Sequence, residues 1–272
     1  MRAIRRSAMA ASVITLIGCG FWRPNVIPMA QDFYSAPCAS TNDKPLPLLV
    51  LLPGRFMHPD EFIREGYLQA VRERGLALDV LIVDAHLGYY SDRSILDRLR
   101  ADVFEPARQR GVTEIWVAGI SIGAFGALLY ADAHPGEMAG LIAIGPYLGS
   151  EKTSDAIRAA NGLRQWQAPQ VLPPLTTESS DTDADLHIWR WLQAQTRSPQ
   201  SQNYPPLYLA FGREDRFHTA HQLLADALPP QHVVAVAGGH DWDAWRPAWR
   251  ELVVQLPVER RSECERASRE AN

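Results

Sequence analysis

Six short runs of the chain are apolar at nearly every position: 48–52, 80–83, 115–118, 141–144, 207–211 and 233–236. A strand with one face in water alternates apolar and polar side chains, because successive residues point to opposite sides. Runs of four or five residues without that alternation read as strands covered on both faces. The stretches between them suit helices: about 59–74, about 94–110, and 122–133, the last rich in Ala and Leu and ending at His134-Pro135-Gly136. Covered strands separated by helices make parallel β-α-β units. The expected fold class is therefore α/β, with a doubly wound, mostly parallel sheet. A chain of 272 residues is long enough for one large domain of this kind.

The N-terminus follows a different logic. Arg2, Arg5 and Arg6 precede an apolar stretch from Ala8 to Ile17. A basic start and about ten apolar residues is the layout of a secretory signal, too short for a stable membrane span. Leu16-Ile17-Gly18-Cys19 resembles the bacterial lipoprotein lipobox. That resemblance implies a signal peptide at 1–18 and lipidation of Cys19, the first residue of the mature chain. An ordinary cleaved signal or an uncleaved anchor is the alternative. Gly20, standing where some bacteria read Asp as a sorting signal, implies the outer membrane by the same analogy. The expected location is thus the bacterial cell envelope, lipid-anchored and facing the periplasm. With Cys19 lipidated, Cys38 and Cys264 remain, and an exported compartment permits them to pair or to stay free.

Residues 19–45, rich in Pro, Asn, Ser and Ala, read as a tether, 46–257 as the folded domain, and 258–272 as a charged, frayed tail. Between about 150 and 203 no run reads as a strand. This is expected to be an insertion between the fourth and fifth strands, above the strand ends where open α/β sheets bind ligands, with a helix near 184–195. The formal net charge of −4, with no Lys/Arg block beyond the first six residues, argues against a nucleic-acid partner. No Cys/His spacing suggests zinc, and no cofactor motif is present.

The chemistry concentrates at Gly119-Ile120-Ser121-Ile122-Gly123, a G-x-S-x-G pattern between an apolar run and a helical stretch. A serine hydroxyl becomes a nucleophile when a base accepts its proton. Of eight histidines, His240 follows the last apolar run and carries glycine punctuation, Gly238-Gly239. His134 and His218 fall at or inside helical stretches and His187 in the insertion. His58 and His86 follow strand ends, and His221 and His232 read as surface residues. The carboxylate that orients such a base is Asp215, at the end of the fifth run, with Glu214 its rival and a helix N-cap its alternative role.

The order Ser, Asp, His on alternating strands and helices resembles the α/β-hydrolase superfamily over about 45–258. Gly212-Arg213-Glu214-Asp215 with Phe217 looks like that superfamily's acid loop. Gly239-His240-Asp241-Trp242 followed by Trp245 resembles the ending of the putative-esterase branch, which includes esterase D-like and antigen 85-like proteins. The resemblance implies an oxyanion hole made by the amide of Ile122 and one after the first run, where Pro53 stands in place of a frequent His. Arg55 N–H is the first choice there and Phe56 N–H the second. His86, Tyr89, Tyr147 and Trp189 are candidate pocket residues, although aromatic residues in an insertion as often form its core. The expected reaction is hydrolysis of a small-molecule carboxylic ester through an acyl-Ser121 intermediate, without metal or cofactor. An acyltransferase using the same triad and a non-catalytic surface binding lipoprotein are the rivals.

Overall fold

All six apolar runs form strands, and a seventh precedes them. In chain order the strands are β1 (Gln31–Tyr34), β2 (Leu48–Leu52), β3 (Asp79–Val83), β4 (Ile115–Ile120), β5 (Gly140–Ile144), β6 (Leu207–Gly212) and β7 (Val233–Val236). The structure is a computed structural model, described here for residues 23–38, 44–176, 178–198, 201 and 203–270. The sheet order is β1-β3-β2-β4-β5-β6-β7, parallel throughout except for β1, which runs antiparallel to β3. The signal-peptide reading and Cys19 lie outside the described residues.

Side chains of β2 show why alternation is missing. Leu48, Val50 and Leu52 enter one apolar layer, with Leu128 and Trp189, while Leu49 and Leu51 enter the other, with Phe62, Tyr67 and Trp249. All five residues are buried. At about 1.5–3 kcal/mol for each fully buried large aliphatic side chain, both layers drive folding.

The helices depart from the sequence expectation where backbone chemistry interrupts them. The stretch 59–74 is two helices, Asp60–Arg64 and Tyr67–Glu73, parted by Gly66 at a φ of 77°. The stretch 94–110 contains a π-helical turn, Arg100–Phe104, just before Pro106, which has no N–H to continue the regular ladder. The insertion carries two helices, Glu151–Ala159 and Asp181–Arg197. The second is longer than expected, because Ser180 and Asp183 form a reciprocal capping box ahead of the apolar face. It is tied to the nucleophile-bearing helix through Asp132, which meets His187 Nδ1 at 2.5 Å and Arg190 at 3.2 Å.

Both terminal readings need correction. The segment read as a tether contains β1, and Met29 beside it is 1% exposed, its N–H donating to Asp102 at 2.9 Å. The strand has no apolar signature because its side chains are exposed or half-exposed and its cohesion is backbone pairing with β3. The tail read as frayed contains a helix, Ser262–Glu270, in which Cys264 is fully buried and disulfide-bonded to Cys38. Glu263 and Arg266 are exposed while Cys264 and Ser268 are buried, so the helix is amphipathic over these residues. Reduction, or Cys264→Ser, should lower unfolding stability by about 3 kcal/mol, because the cross-link closes most of the chain. Urea unfolding midpoints with and without reductant measure this.

Candidate active site

Ser121, Asp215 and His240 follow the carboxyl ends of β4, β6 and β7, three strands of one parallel sheet. Ser121 sits between β4 and the helix Ile122–Ala133 at φ 53°, ψ −113°, a conformation that non-glycine residues rarely adopt. Backbone hydrogen bonds hold it there. Its N–H donates to Ile144 O at 2.9 Å, and its carbonyl accepts from Tyr147 N and Phe125 N at 3.1 and 3.2 Å. The flanking glycines are required by close approach. A Cβ on Gly119 would lie 2.3 Å from Ala124 N, and one on Gly123 would lie 2.4 Å from Leu52 O.

His240 Nε2 is 2.9 Å from Ser121 Oγ, and its Nδ1 is 2.8 Å from Asp215 Oδ2. The Asp215 carboxylate is wholly shielded from solvent, and its other oxygen accepts from Phe217 N at 2.8 Å. Burial alone would raise its pKa. Hydrogen bonds from His240 and Phe217 N–H, with the nearby His221, outweigh burial and hold it below the usual carboxylate value. The imidazole of His240 stands between the edges of Phe217 and Trp245, with centroids 5.1 and 5.0 Å away. Base and acid are therefore oriented by packing as well as by hydrogen bonds. Glu214 is turned elsewhere, its carboxylate accepting from Gly238 N.

The expected oxyanion donors are the N–H groups of Ile122 and Arg55, with Phe56 as second choice for the latter. Ile122 is the first residue of its helix, where amides lack intrahelical acceptors and the helix dipole favours negative charge. After β2 the chain makes a turn, Gly54 to Met57, closed by Met57 N donating to Gly54 O at 3.1 Å. Arg55 N–H has no acceptor among the described residues. Phe56 occupies the turn's third position at φ 67°.

His221, read as a surface residue, is fully buried. Burial dominates its charge state and pushes its pKa down to about 4, against the pull of Asp215. The neutral ring donates from Nε2 to Pro146 O at 2.8 Å, bracing the loop after β5 beside the acid. Its sequence signal was the helical spacing to Leu224, the other buried residue of that helix.

A cavity of about 510 Å³ is lined by Ile122, the residue after Ser121, and by Phe125, Leu129, Tyr90, Tyr147 and Leu175 among others; Ser121, Asp215 and His240 are not part of its lining. Tyr147 also borders a second cavity of about 500 Å³, which carries Arg158 and Arg216. Of the expected pocket residues, Tyr147 lines the space. His86, Tyr89 and Trp189 do not. His86 caps a short helix by accepting from Gly88 N, the Tyr89 hydroxyl is tied to the backbone of Val26, and Trp189 points into the core. Phe125 and Leu129 were missed because only the third dimension turns one face of their helix toward the cavity. Among the described residues no group of three or more His, Cys, Asp or Glu side chains is arranged to hold a metal.

No protein-family model matches the sequence, and no curated protein matches it. Solved structures do. One is an S-formylglutathione hydrolase from Staphylococcus aureus, with a TM-score of 0.55 and 16% identity, covering 79% of this chain and 82% of that one. Another is the fluorophosphonate-binding serine hydrolase F of Staphylococcus aureus, with a TM-score of 0.53 and 17% identity, covering 80% and 86%. Est1E from Butyrivibrio proteoclasticus matches with a TM-score of 0.50 and 17% identity, covering 85% and 96%. This is the α/β-hydrolase fold. At these identities the likeness is one of architecture, and the chemistry rests on the residues themselves.

Unfolding frees His221 to bind a proton that the folded site refuses, so stability should fall as pH drops from about 6.5 towards 4. The loss from this residue is about 3 kcal/mol across that window. Denaturant titrations at several pH values should show a shallower acid slope for His221→Gln.

Proposed function

We propose that this protein is a serine hydrolase that cleaves carboxylic esters through an acyl-Ser121 intermediate. The observation that carries the reading is one imidazole within hydrogen-bond reach of both partners, His240 Nε2 at 2.9 Å from Ser121 Oγ and Nδ1 at 2.8 Å from the buried Asp215. His240 accepts the hydroxyl proton as Oγ attacks the ester carbonyl. The oxyanion that forms is met by Ile122 N–H and by the amide of Arg55. Collapse of this intermediate expels the alcohol, which takes the proton back from His240. Water then enters, loses its proton to His240 and releases the acyl group as a carboxylic acid, regenerating Ser121. Asp215 remains ionised throughout, in keeping with its lowered pKa, and stabilises the imidazolium.

The two cavities suit the two halves of an ester. The apolar wall of Ile122, Phe125 and Leu129 suits the acyl group, and the space with Arg158 and Arg216 suits a polar alcohol. A fluorophosphonate probe should label the wild type and fail to label Ser121→Ala. Labelling of both, or of neither, counts against an activated Ser121. Hydrolysis of p-nitrophenyl esters should fall by a factor on the order of 10⁴ or more in Ser121→Ala.

We also propose that Cys19 carries lipid, on the strength of the Leu-Ile-Gly-Cys segment after a signal-like stretch. Arg23 is docked on Asp84, so residues 20–22 are all that separate this cysteine from the folded domain. At about 3.5 Å per residue, the reach from Cys19 to Arg23 is about 14 Å. Such an anchor holds the domain against a membrane surface instead of letting it range on a long tether. In cells, Cys19→Ser should abolish incorporation of labelled palmitate and move the protein out of the membrane fraction.

A further inference from the structure

Arg23 belongs to no helix or strand, yet its guanidinium joins three parts of the fold. Nη1 lies 2.8 Å from each oxygen of Asp84, at the end of β3, and 3.4 Å from His58 Nδ1. Nη2 donates to Met57 O at 3.1 Å. Met57 is the closing residue of the turn that presents Arg55 N–H. Within the turn Met57 N donates to Gly54 O, Gly54 N donates to Met57 Sδ, and the Arg55 guanidinium lies over the Phe56 ring, both of these residues being exposed. Phe56, at positive φ, adds a conformational cost on the order of 1 kcal/mol or more. The two ends of the turn are held by other parts of the fold. The chain entering it is already pressed on the nucleophile turn, since a Cβ on Gly123 would lie 2.4 Å from Leu52 O and 2.7 Å from Pro53 O. Its exit, at Met57 and His58, is where Arg23 acts.

We propose that Arg23 is a positioning residue for the oxyanion hole, fixing the Gly54–Met57 turn by gripping the Met57 carbonyl while Asp84 fixes the guanidinium. The inference rests on the hydrolase reading above. Arginine suits the task because its planar fork binds a carboxylate and a carbonyl through different nitrogens, whereas lysine has one nitrogen for both. The N-terminal arm is then a working part of the catalytic apparatus. Loosening the turn costs transition-state stabilisation and leaves ground-state binding in the cavity lined by Ile122, Phe125 and Leu129 intact.

The test compares wild type, Arg23→Ala and Arg23→Lys in the full chain. It measures kcat and KM on p-nitrophenyl butyrate, the Ki of a trifluoromethyl ketone that forms a tetrahedral adduct with the serine, and the thermal midpoint. Arg23→Ala should lower kcat about tenfold or more with KM changed less than about twofold, and the ketone Ki should rise by the same factor as kcat/KM falls. Arg23→Lys, able to keep the Asp84 ion pair, should hold the thermal midpoint near wild type and recover part of kcat. Unchanged kcat and ketone affinity in Arg23→Ala, or a rise in KM alone, overturns the assignment. So does a kcat loss in both variants that follows the thermal midpoint with no change in ketone affinity. Wild-type protein that neither hydrolyses esters nor takes up a fluorophosphonate removes the hydrolase reading, and the role of Arg23 with it.

Discussion

The nucleophile turn is pressed against the carbonyls that end the neighbouring strand, and the rest of the site depends on that contact. Gly123 meets Leu52 O and Pro53 O so closely that a methyl group does not fit, and Gly119 is packed as tightly against the start of the following helix. The arrangement brings three things within reach of one point: the Ser121 hydroxyl, the amide-rich N-terminus of the helix Ile122–Ala133, and the turn after β2. Because β2 and β4 are paired neighbours in register, Leu52 opposite Gly119, sheet pairing itself sets how the turn after β2 sits relative to the turn that carries Ser121. The strain at Ser121 is held by three backbone hydrogen bonds, two of them to the segment ending and following β5.

Electrostatics around the acid follow from burial and its compensation. A shielded carboxylate is costly unless its oxygens are occupied, and Asp215 has both engaged, one by His240 and one by the Phe217 amide. Beside it His221 is kept neutral by burial, so it braces the Pro146 carbonyl without adding a competing positive charge near the base. Two histidines that both act electrostatically on one carboxylate thus do different work. One is hydrogen-bonded to the acid and reaches the serine, and the other holds a loop.

The termini are structural in a way that their composition conceals. The arm from Arg23 to Tyr34 grips the carboxyl end of the sheet through Asp84, Tyr89 and Met57, then joins the sheet as β1. The C-terminal helix is pinned to the same region of chain by the Cys38–Cys264 bond. Both ends of the described residues therefore pack on the domain, on the side of the sheet that carries β1 and β3.

Much of this protein is legible in short windows of sequence. Continuous apolar runs specify doubly covered strands, Gly119-Ile120-Ser121-Ile122-Gly123 specifies a turn that bulkier residues cannot make, and the order of Ser121, Asp215 and His240 after the fourth, sixth and seventh strands specifies which residues converge. The runs and the glycine-flanked turn are local patterns whose physical cause acts within a few residues, and the order of the three residues is read from which runs they follow. What escaped the sequence has its cause far away along the chain. β1 is a strand because β3 offers it unpaired backbone groups, and the helix Ser262–Glu270 is tied to the domain through Cys264, bonded to Cys38 226 residues earlier and packed with Leu46 and Ala77. His221 is neutral because the fold buries it, Trp189 is core because its helix turns that face inward, and Arg23 matters because Met57 and Asp84 come to it. Local patterning determined the strands, the nucleophile turn and the identity of the triad. Tertiary structure alone decided the cavity, the charge states and the anchoring of the ends, because these depend on which distant groups exclude water from one another.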